Sequence, residues 1–433
     1  MTAEGPTPFA EHTRQVPWEP SPTGRPVHIR LKPAAADAVR TGHPWVFDQS
    51  IQKQDRPGQP GELAALYDRN NRFLAIGLYD PHSPLRVRIL HRGTPVPLDE
   101  SWWRQHLRRA LTRREPLFDP QTTGYRLVHG ESDGWPGLVL DRYAEVLVLK
   151  LYTVAWLPRL QALCRWITDL LQPRSLVLRL SRNLQSTAPQ FGGPTDGSLL
   201  HGTPIEPPVP FLESGLRFTA DVLRGQKTGF FLDQRENRRR VETLAQGRHV
   251  LNLFSFSGGF SVYAARGGAR SVTDLDLSPH ALDAARRHFD LNRGQYPDPE
   301  CPHRTVQADA FEWLETAPPE SFDLVILDPP ALARKAAERA GALRAYRHLV
   351  LRSVRLLRPD GILVAASCTA HVRTDEFFDL VRQTLRSTGR PWRELATTTV
   401  PPDHPATFPE AEYLKCIYVQ VGGPARRPRR SLP

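Results

Sequence analysis

Asp276, Asp309, Asp328 and Cys368 each follow a short apolar run, and between them they offer three carboxylates and a thiol. Upstream, Asn252-Leu-Phe-Ser-Phe-Ser-Gly-Gly259 joins an apolar segment to a second one with helical spacing, which predicts strand, loop and helix. Small residues at Ser257, Gly258 and Gly259 let a ligand approach the backbone, and a helix from Phe260 offers unpaired N–H groups. Asp276 stands about 20 residues past the glycines, the spacing at which a carboxylate accepts hydrogen bonds from both ribose hydroxyls. Ser278 and Pro279 cap the next helix. The adjacent glycines differ from the spaced glycines of a pyrophosphate-binding turn, which disfavours NAD and suits an adenosine carrying an amino-acid tail. Taken alone, two glycines also suit an ordinary turn in an α/β unit.

The elements that must position these residues follow from periodicity. Residues 250–254, 271–275, 304–308, 322–327 and 361–367 predict strands separated by helical patterns. Such alternation makes a parallel, Rossmann-like α/β sheet whose ligands collect at the carboxyl ends of the strands, so Gly258, Asp276, Asp309, Asp328 and Cys368 belong on one rim. Ahead of this region, short alternating segments between residues 27 and 92, broken by Pro-Gly turns, predict a small β-barrel. Within it, Thr41-Gly-His-Pro-Trp-Val-Phe47 offers His43 and two aromatics, Trp45 and Phe47, which read as barrel core or as a stacking surface for RNA. Residues 101–114 predict a basic amphipathic helix. Strands with tight glycine turns over 125–143, a strand at 146–152, a helix over 155–171 and a strand at 175–180 complete a small central α+β domain; residues 186–210 read as a linker with a hairpin. The expected organisation is a mobile leader at 1–26, the barrel at 27–95, the central domain and linker at 100–210, the Rossmann-like domain at 211–422 and a basic tail at 423–433.

The 433 residues carry 57 Lys plus Arg against 46 Asp plus Glu, a net charge of +11 that favours a polyanionic partner. Cys164, Cys301, Cys368 and Cys416 stand far apart without C-x-x-C pairs, so neither a zinc site nor a disulfide framework is expected, and a reducing cytoplasm fits. The N-terminus lacks a basic start followed by an apolar core, and no apolar run reaches bilayer-spanning length, so a soluble protein without membrane attachment is expected. The oligomeric state is open, a homodimer included.

At these residues the chain resembles the bacterial class I S-adenosylmethionine-dependent ribosomal RNA methyltransferases that carry an N-terminal PUA domain and make 5-methylcytosine in large-subunit RNA. The resemblance spans residues 27–420. It rests on Gly42-His-Pro-Trp-Val-Phe47, Gly130-Glu-Ser-Asp-Gly-Trp-Pro-Gly-Leu138, Lys227-Thr-Gly-Phe-Phe-Leu-Asp-Gln-Arg235, Asn252 to Gly259, Phe322-Asp-Leu-Val-Ile-Leu-Asp-Pro-Pro330, Ser367-Cys368, Asp403-His-Pro405 and Tyr413-Leu-Lys415. It implies that S-adenosylmethionine is the cofactor, with Asp276 on its ribose and Asp309 at its adenine amino group. Phe254, Ser255, Ser257, Gly258 and Gly259 would wrap its methionine moiety, with Ser278 and Asp328 in the same pocket. Ribosomal RNA is the implied partner, met by His43, Trp45, Lys227 and Arg235. Many RNA cytosine-5 methyltransferases carry a second cysteine directly after the proline of the Asp-containing motif; here that place is Ala331, so product release needs another base.

Carbon 5 of cytosine is a poor nucleophile, so such an enzyme first adds a thiolate to carbon 6, and the resulting enamine attacks the methyl group. Cys368, the one cysteine expected at the rim, fits the nucleophile, and Asp328 fits a proton donor to ring nitrogen 3. The bland alternative makes Cys368 a small buried hydrophobe, the reading adopted for Cys164, Cys301 and Cys416. A second enzymatic reading is an N-methyltransferase on guanine or adenine, in which Asp328-Pro-Pro330 holds an exocyclic amine. A third is an RNA-binding protein with a vestigial catalytic fold.

Overall fold

The computed structural model describes residues 24–423. The expected leader thus falls almost entirely, and the tail Arg426-Arg-Pro-Arg-Arg430 entirely, outside the described residues.

The described residues divide into two units, one made of residues 24–215, 219–232 and 402–408, the other of 216–218, 233–401 and 409–423. In the first, among the described residues, β1 (Val27–Leu31), β2 (Trp45–Phe47), β3 (Ile51–Gln54), β4 (Leu63–Tyr67), β5 (Phe73–Tyr79) and β6 (Leu85–Arg92) form a six-stranded sheet in the order β2-β6-β5-β4-β1-β3. The alternating segments become β1, β4, β5 and β6; the short β2 and β3 carry too few residues for a periodic signal. A second sheet orders β11 (Leu199–Gly202), β10 (Ser175–Leu180), β9 (Val146–Leu151), β8 (Leu138–Tyr143) and β7 (Gly124–His129). Its β9 and β10 run parallel because the helix Leu160–Leu171 carries the chain back between them. Residues 186–210 are not a plain linker, since β11 pairs onto β10.

The basic helix forms at Glu100–Thr112, capped by Asp99, whose carboxylate accepts the Trp102 N–H at 2.8 Å. It buries Trp103, Leu107 and Ala110 in a core shared with Leu140, Leu149 and Trp156 of the second sheet region and with Leu78 and Leu90 of the first sheet. That shared core is why the barrel-like and central domains expected as separate bodies form one unit.

After β12 (Val209–Glu213) and β13 (Leu216–Ala220), the second unit holds β14 (His249–Leu253), β15 (Ser271–Asp276), β16 (His303–Gln307), β17 (Phe322–Leu327) and β18 (Leu357–Ser367), joined by β19 (Trp392–Thr398) and β20 (Lys415–Val421). The order is β16-β15-β14-β17-β18-β20-β19. The first five strands are mutually parallel, as expected, but β20 runs antiparallel to both β18 and β19. No long helix separates β19 from β20, so the chain returns without a crossover and the sheet is not wholly parallel. Helices Gly259–Arg266, Pro279–Leu291, Ala310–Thr316 and Arg339–Leu356 connect the parallel strands. Among the described residues no helix is long and apolar enough to cross a membrane.

Candidate active site

The sheet rim is built as the strand ends predict. After β14 the chain turns through left-handed backbone at Phe254 (φ 58°), Phe256 (φ 47°) and Gly258 (φ 71°). Two phenylalanines held there carry strain of the kind that clusters at ligand sites. Gly258 also has no room for a side chain: a β-carbon would stand 2.8 Å from that of Ala285 and 3.1 Å from Asp274 Oδ2. The loop is held from outside by Ser255 N–H on the Leu275 carbonyl (3.0 Å) and by the buried His288, whose Nδ1 lies 2.9 Å from the Ser257 carbonyl oxygen. Beneath it, Asp274 gathers the Asn252 amide (2.9 Å), the Ser261 hydroxyl and His303 Nε2 (2.8 Å).

Asp276 uses both oxygens on this rim, accepting from Phe256 N–H at 2.8 Å and Ser278 N–H at 2.9 Å. Its carboxylate thereby ties the glycine loop to the next helix, where the Ser278 hydroxyl caps Ala281 N–H. Asp309 caps the helix Ala310–Thr316 through Phe311 N–H at 2.7 Å and Glu312 N–H at 3.3 Å. The Phe254 and Phe311 rings meet edge to face at 6.2 Å. The buried Ser255 hydroxyl meets no hydrogen-bond partner among the described residues, which fits a loop shaped to receive a polar ligand. These residues therefore fit an adenosine-containing cofactor: acidic groups at two successive strand ends, and a glycine-containing loop with an unsatisfied hydroxyl.

Asp328 and Cys368 follow β17 and β18, which pair directly, and a hydrogen-bonded staple joins their loops. Thr369 Oγ1 accepts Leu332 N–H at 3.1 Å and lies 2.7 Å from the Tyr346 hydroxyl, which accepts from Ser367 Oγ at 2.9 Å. Cys368 Sγ is 3.9 Å from the Pro329 carbonyl oxygen. The Gln234 amide donates to Asp328 Oδ2 at 2.9 Å, while its oxygen accepts from Asn237 at 2.6 Å, so the neighbour decides which end of Gln234 faces the carboxylate. Cys368 is half-buried, whereas Cys164, Cys301 and Cys416 are buried. Burial pushes the thiols of these three up, that of Cys164 to about 12, which keeps them protonated. Ala331 is exposed in the Asp328 loop.

Of the residues expected to meet RNA, His43, Trp45 and Lys227 belong to the first unit and Arg235 to the second. In the first unit the half-buried Trp45 ring packs against His43 (5.7 Å) and Phe408 (5.1 Å), and its indole N–H donates to Glu131 at 2.8 Å, with Arg88 on the same carboxylate at 2.7 Å. Phe47 is 38% exposed, which corrects the core reading for that residue; it closes a short strand rather than facing the sheet interior. Lys227, in left-handed backbone, rests its Nζ 4.6 Å above the Phe231 ring. Arg235, in the second unit, is 1% exposed and paired with Glu236, which corrects its expected place on an RNA-facing surface: the first turn of the helix Arg235–Leu244 is turned inward. Sequence reasoning missed Gln234, Tyr346 and His288 as positioning groups. Gln234 lies in the polar stretch before the Rossmann-like fold, but its contact with a carboxylate 94 positions later has no local signal.

A sequence model of the S-adenosylmethionine-dependent methyltransferases matches residues 125–418, and one of a PUA-like domain matches residues 29–92. A Deinococcus radiodurans protein named ribosomal RNA large subunit methyltransferase is 54% identical over 409 residues, covering 93% of this chain and 99% of its own. A Shewanella amazonensis protein named ribosomal RNA large subunit methyltransferase I is 33% identical over 404 residues, covering 91% of this chain and 99% of its own. Among solved structures, one described as a SAM-dependent methyltransferase from Streptococcus mutans superposes with a TM-score of 0.77 at 20% identity, over 91% of this chain and 100% of that one, a likeness of fold alone.

Proposed function

This chain belongs to the S-adenosylmethionine-dependent methyltransferases, and from that premise we propose that it methylates carbon 5 of a cytosine in large-subunit ribosomal RNA through a covalent adduct of Cys368. The RNA class is that named for the Deinococcus and Shewanella relatives, and the net charge of +11 suits it. The observation that carries the cytosine-5 reading is the staple through Thr369 and Tyr346, which holds the half-buried Cys368 thiol in register with the Asp328 loop.

S-adenosylmethionine supplies an electrophilic methyl group on its sulfonium. Asp276 and the loop 254–259 orient it, with Asp309 at the neighbouring strand end. The Cys368 thiolate adds to carbon 6 of the flipped base while Asp328 donates a proton to nitrogen 3, giving the enamine whose carbon 5 would take the methyl group as the sulfur–methyl bond breaks and the neutral thioether S-adenosylhomocysteine is left. Loss of the carbon 5 proton to a base other than residue 331 then expels the thiolate, and nitrogen 3 returns its proton to Asp328. Gln234, by occupying one oxygen of Asp328, turns the carboxyl toward a single task. His43, Trp45 and Lys227 remain the proposed RNA contacts in the first unit.

The second reading, methylation of an exocyclic nitrogen held by Asp328-Pro-Pro330, needs no thiol. Cys368→Ala separates the two: turnover should fall by at least about 1,000-fold, with cofactor affinity nearly intact, because the covalent route is lost rather than the pocket. RNA substituted with 5-fluorocytosine should trap the wild-type protein as a band that survives denaturing gels. Cys368→Ala working at a near wild-type rate, or no trapped band from active enzyme, would replace this proposal with nitrogen methylation. Mass-spectrometric mapping of large-subunit RNA with and without the protein identifies the modified base directly.

A further inference from the structure

Lys415 opens β20 directly opposite Ser367 of β18, the residue before Cys368. It is 0% exposed, and its Nζ donates to the backbone carbonyls of Thr369 (2.7 Å), Val372 (2.6 Å) and Tyr413 (3.2 Å). Three donors thus meet three carbonyls, the full capacity of an ammonium. No carboxylate stands within ion-pair distance of this nitrogen among the described residues, so a full positive charge is buried without a formal counter-charge. A buried cation is costly unless hydrogen bonds or a counter-charge compensate it, and here three carbonyls do so while leaving its net charge in place.

The choice of residue points the same way. Only six of the 57 basic residues are lysine (Lys32, Lys53, Lys150, Lys227, Lys335 and Lys415), so this chain takes arginine almost everywhere. A compact ammonium with three rotatable donors suits three carbonyls converging on one point. Two of those carbonyls belong to the turn that immediately follows Cys368.

The geometry points to Lys415 as the positioning residue for Cys368: it draws in the turn after the thiol and places a buried positive charge close to the sulfur, favouring thiolate over thiol. This rests on the reading of Cys368 as the nucleophile. The thiol proton leaves to solvent, and Lys415 neither gives nor takes it. The charged and titratable groups facing Lys415 are Cys368, Glu376 of the helix Thr374–Ser387 and Glu412 of the preceding loop. Glu376 already bonds Arg339, and Tyr346 reaches the same turn through Thr369. Burial holds the Lys415 ammonium down to about 8, so its charge is present at neutral pH and is lost as the pH rises beyond that value.

The test is the pH dependence of Cys368 alkylation by iodoacetamide, read by peptide mass spectrometry on the full chain, with buried Cys164, Cys301 and Cys416 as internal references. In Lys415→Met, the midpoint for Cys368 should rise by about one pH unit, a tenfold loss of thiolate at a given pH. The acid limb of the methylation rate should move with it, while S-adenosylmethionine affinity stays within about twofold. An unmoved alkylation midpoint in a variant that still binds cofactor overturns the proposal and leaves Lys415 a structural clamp. The reciprocal measurement needs no change at position 415. With lysines ¹⁵N-labelled at Nζ, the Lys415 ammonium should titrate at lower pH in Cys368→Ala than in the wild-type chain, and equal midpoints overturn the proposal as well. Alkylation reports the thiol whether or not it is the nucleophile, so failure of the catalytic reading, methylation surviving in Cys368→Ala, is seen separately.

Discussion

Two arginines of the first unit and a buried lysine of the second are held in opposite ways. In the first, Arg114 lies 2.6 Å from Asp133 and also donates to the Asp403 carbonyl at 2.8 Å, while Arg126 grips Asp141 through two bonds of 2.7 and 2.9 Å. Asp133 further accepts the His129 N–H at 2.7 Å, and Asp141 accepts the Thr228 hydroxyl at 2.7 Å. In the second unit, the Lys415 ammonium donates to three backbone carbonyls, and Asp328 accepts from the neutral amide of Gln234. Buried pairs that neutralise each other hold distant segments of a unit together, here residues 114, 133 and 403. A buried ammonium held by carbonyls keeps its net charge available to act on a neighbour, and Lys415 stands at the rim, opposite the end of β18.

If that contrast is right, substitutions in the two units should divide cleanly between stability and activity. The largest effect expected is at Cys368, where alanine should abolish methylation yet leave the thermal midpoint within about 2 °C, since a half-buried thiol contributes little packing. A large drop in thermal stability would blur the contrast. Next, Asp133→Ala leaves Arg114 buried without its carboxylate and should destabilise the protein by about 3 kcal/mol or more, about 10 °C of thermal midpoint, with cofactor affinity unchanged in the folded protein. Calorimetric unfolding that moved by less than about 1 kcal/mol would show that this pair is not structural.

Asp276→Ala should weaken S-adenosylmethionine binding by about 10- to 100-fold, because it removes the proposed acceptor for the ribose and unties Phe256 N–H from Ser278 N–H. Titration calorimetry showing wild-type affinity would remove Asp276 from the cofactor site. The smallest effect concerns acid. Burial lowers His129 well below its ordinary value, with Arg126, His404 and Arg114 adding to it against Asp403, and burial also lowers His106. The unfolded chain therefore takes up protons near pH 6.5 that the folded first unit refuses, so stability is present above about pH 6.5 and is lost as the pH falls below it. Thermal midpoints followed across that range should decline on the acid side, and less steeply in His129→Gln; identical slopes would exclude His129 as a source.

Much of the rim was legible before any tertiary structure. Asp276, Asp309, Asp328 and Cys368 are placed by local rules, an apolar run that must be buried, followed by a polar residue that cannot continue it, and β14 to β18 appear where the periodicity put them. The glycine turn was readable because left-handed backbone and a tight approach to Ala285 demand a residue without a side chain at 258. The PUA-like and methyltransferase segments likewise carry their own motifs.

Pairing across long separations has no such local signal and is set by the packed fold. The reversed β20, the merging of two expected domains through Leu78, Leu90 and the tryptophans, the burial of Arg235 and the meeting of Trp45 with Phe408 all join segments that share no local pattern. Lys415 is the clearest case. Its sequence neighbours mark a strand start, but its burial opposite Ser367 arises from strand register, set by the whole sheet, and register moves every side chain to one face or the other. Local chemistry thus determined which residues could act, and long-range packing determined that a buried lysine stands opposite the residue before the thiol.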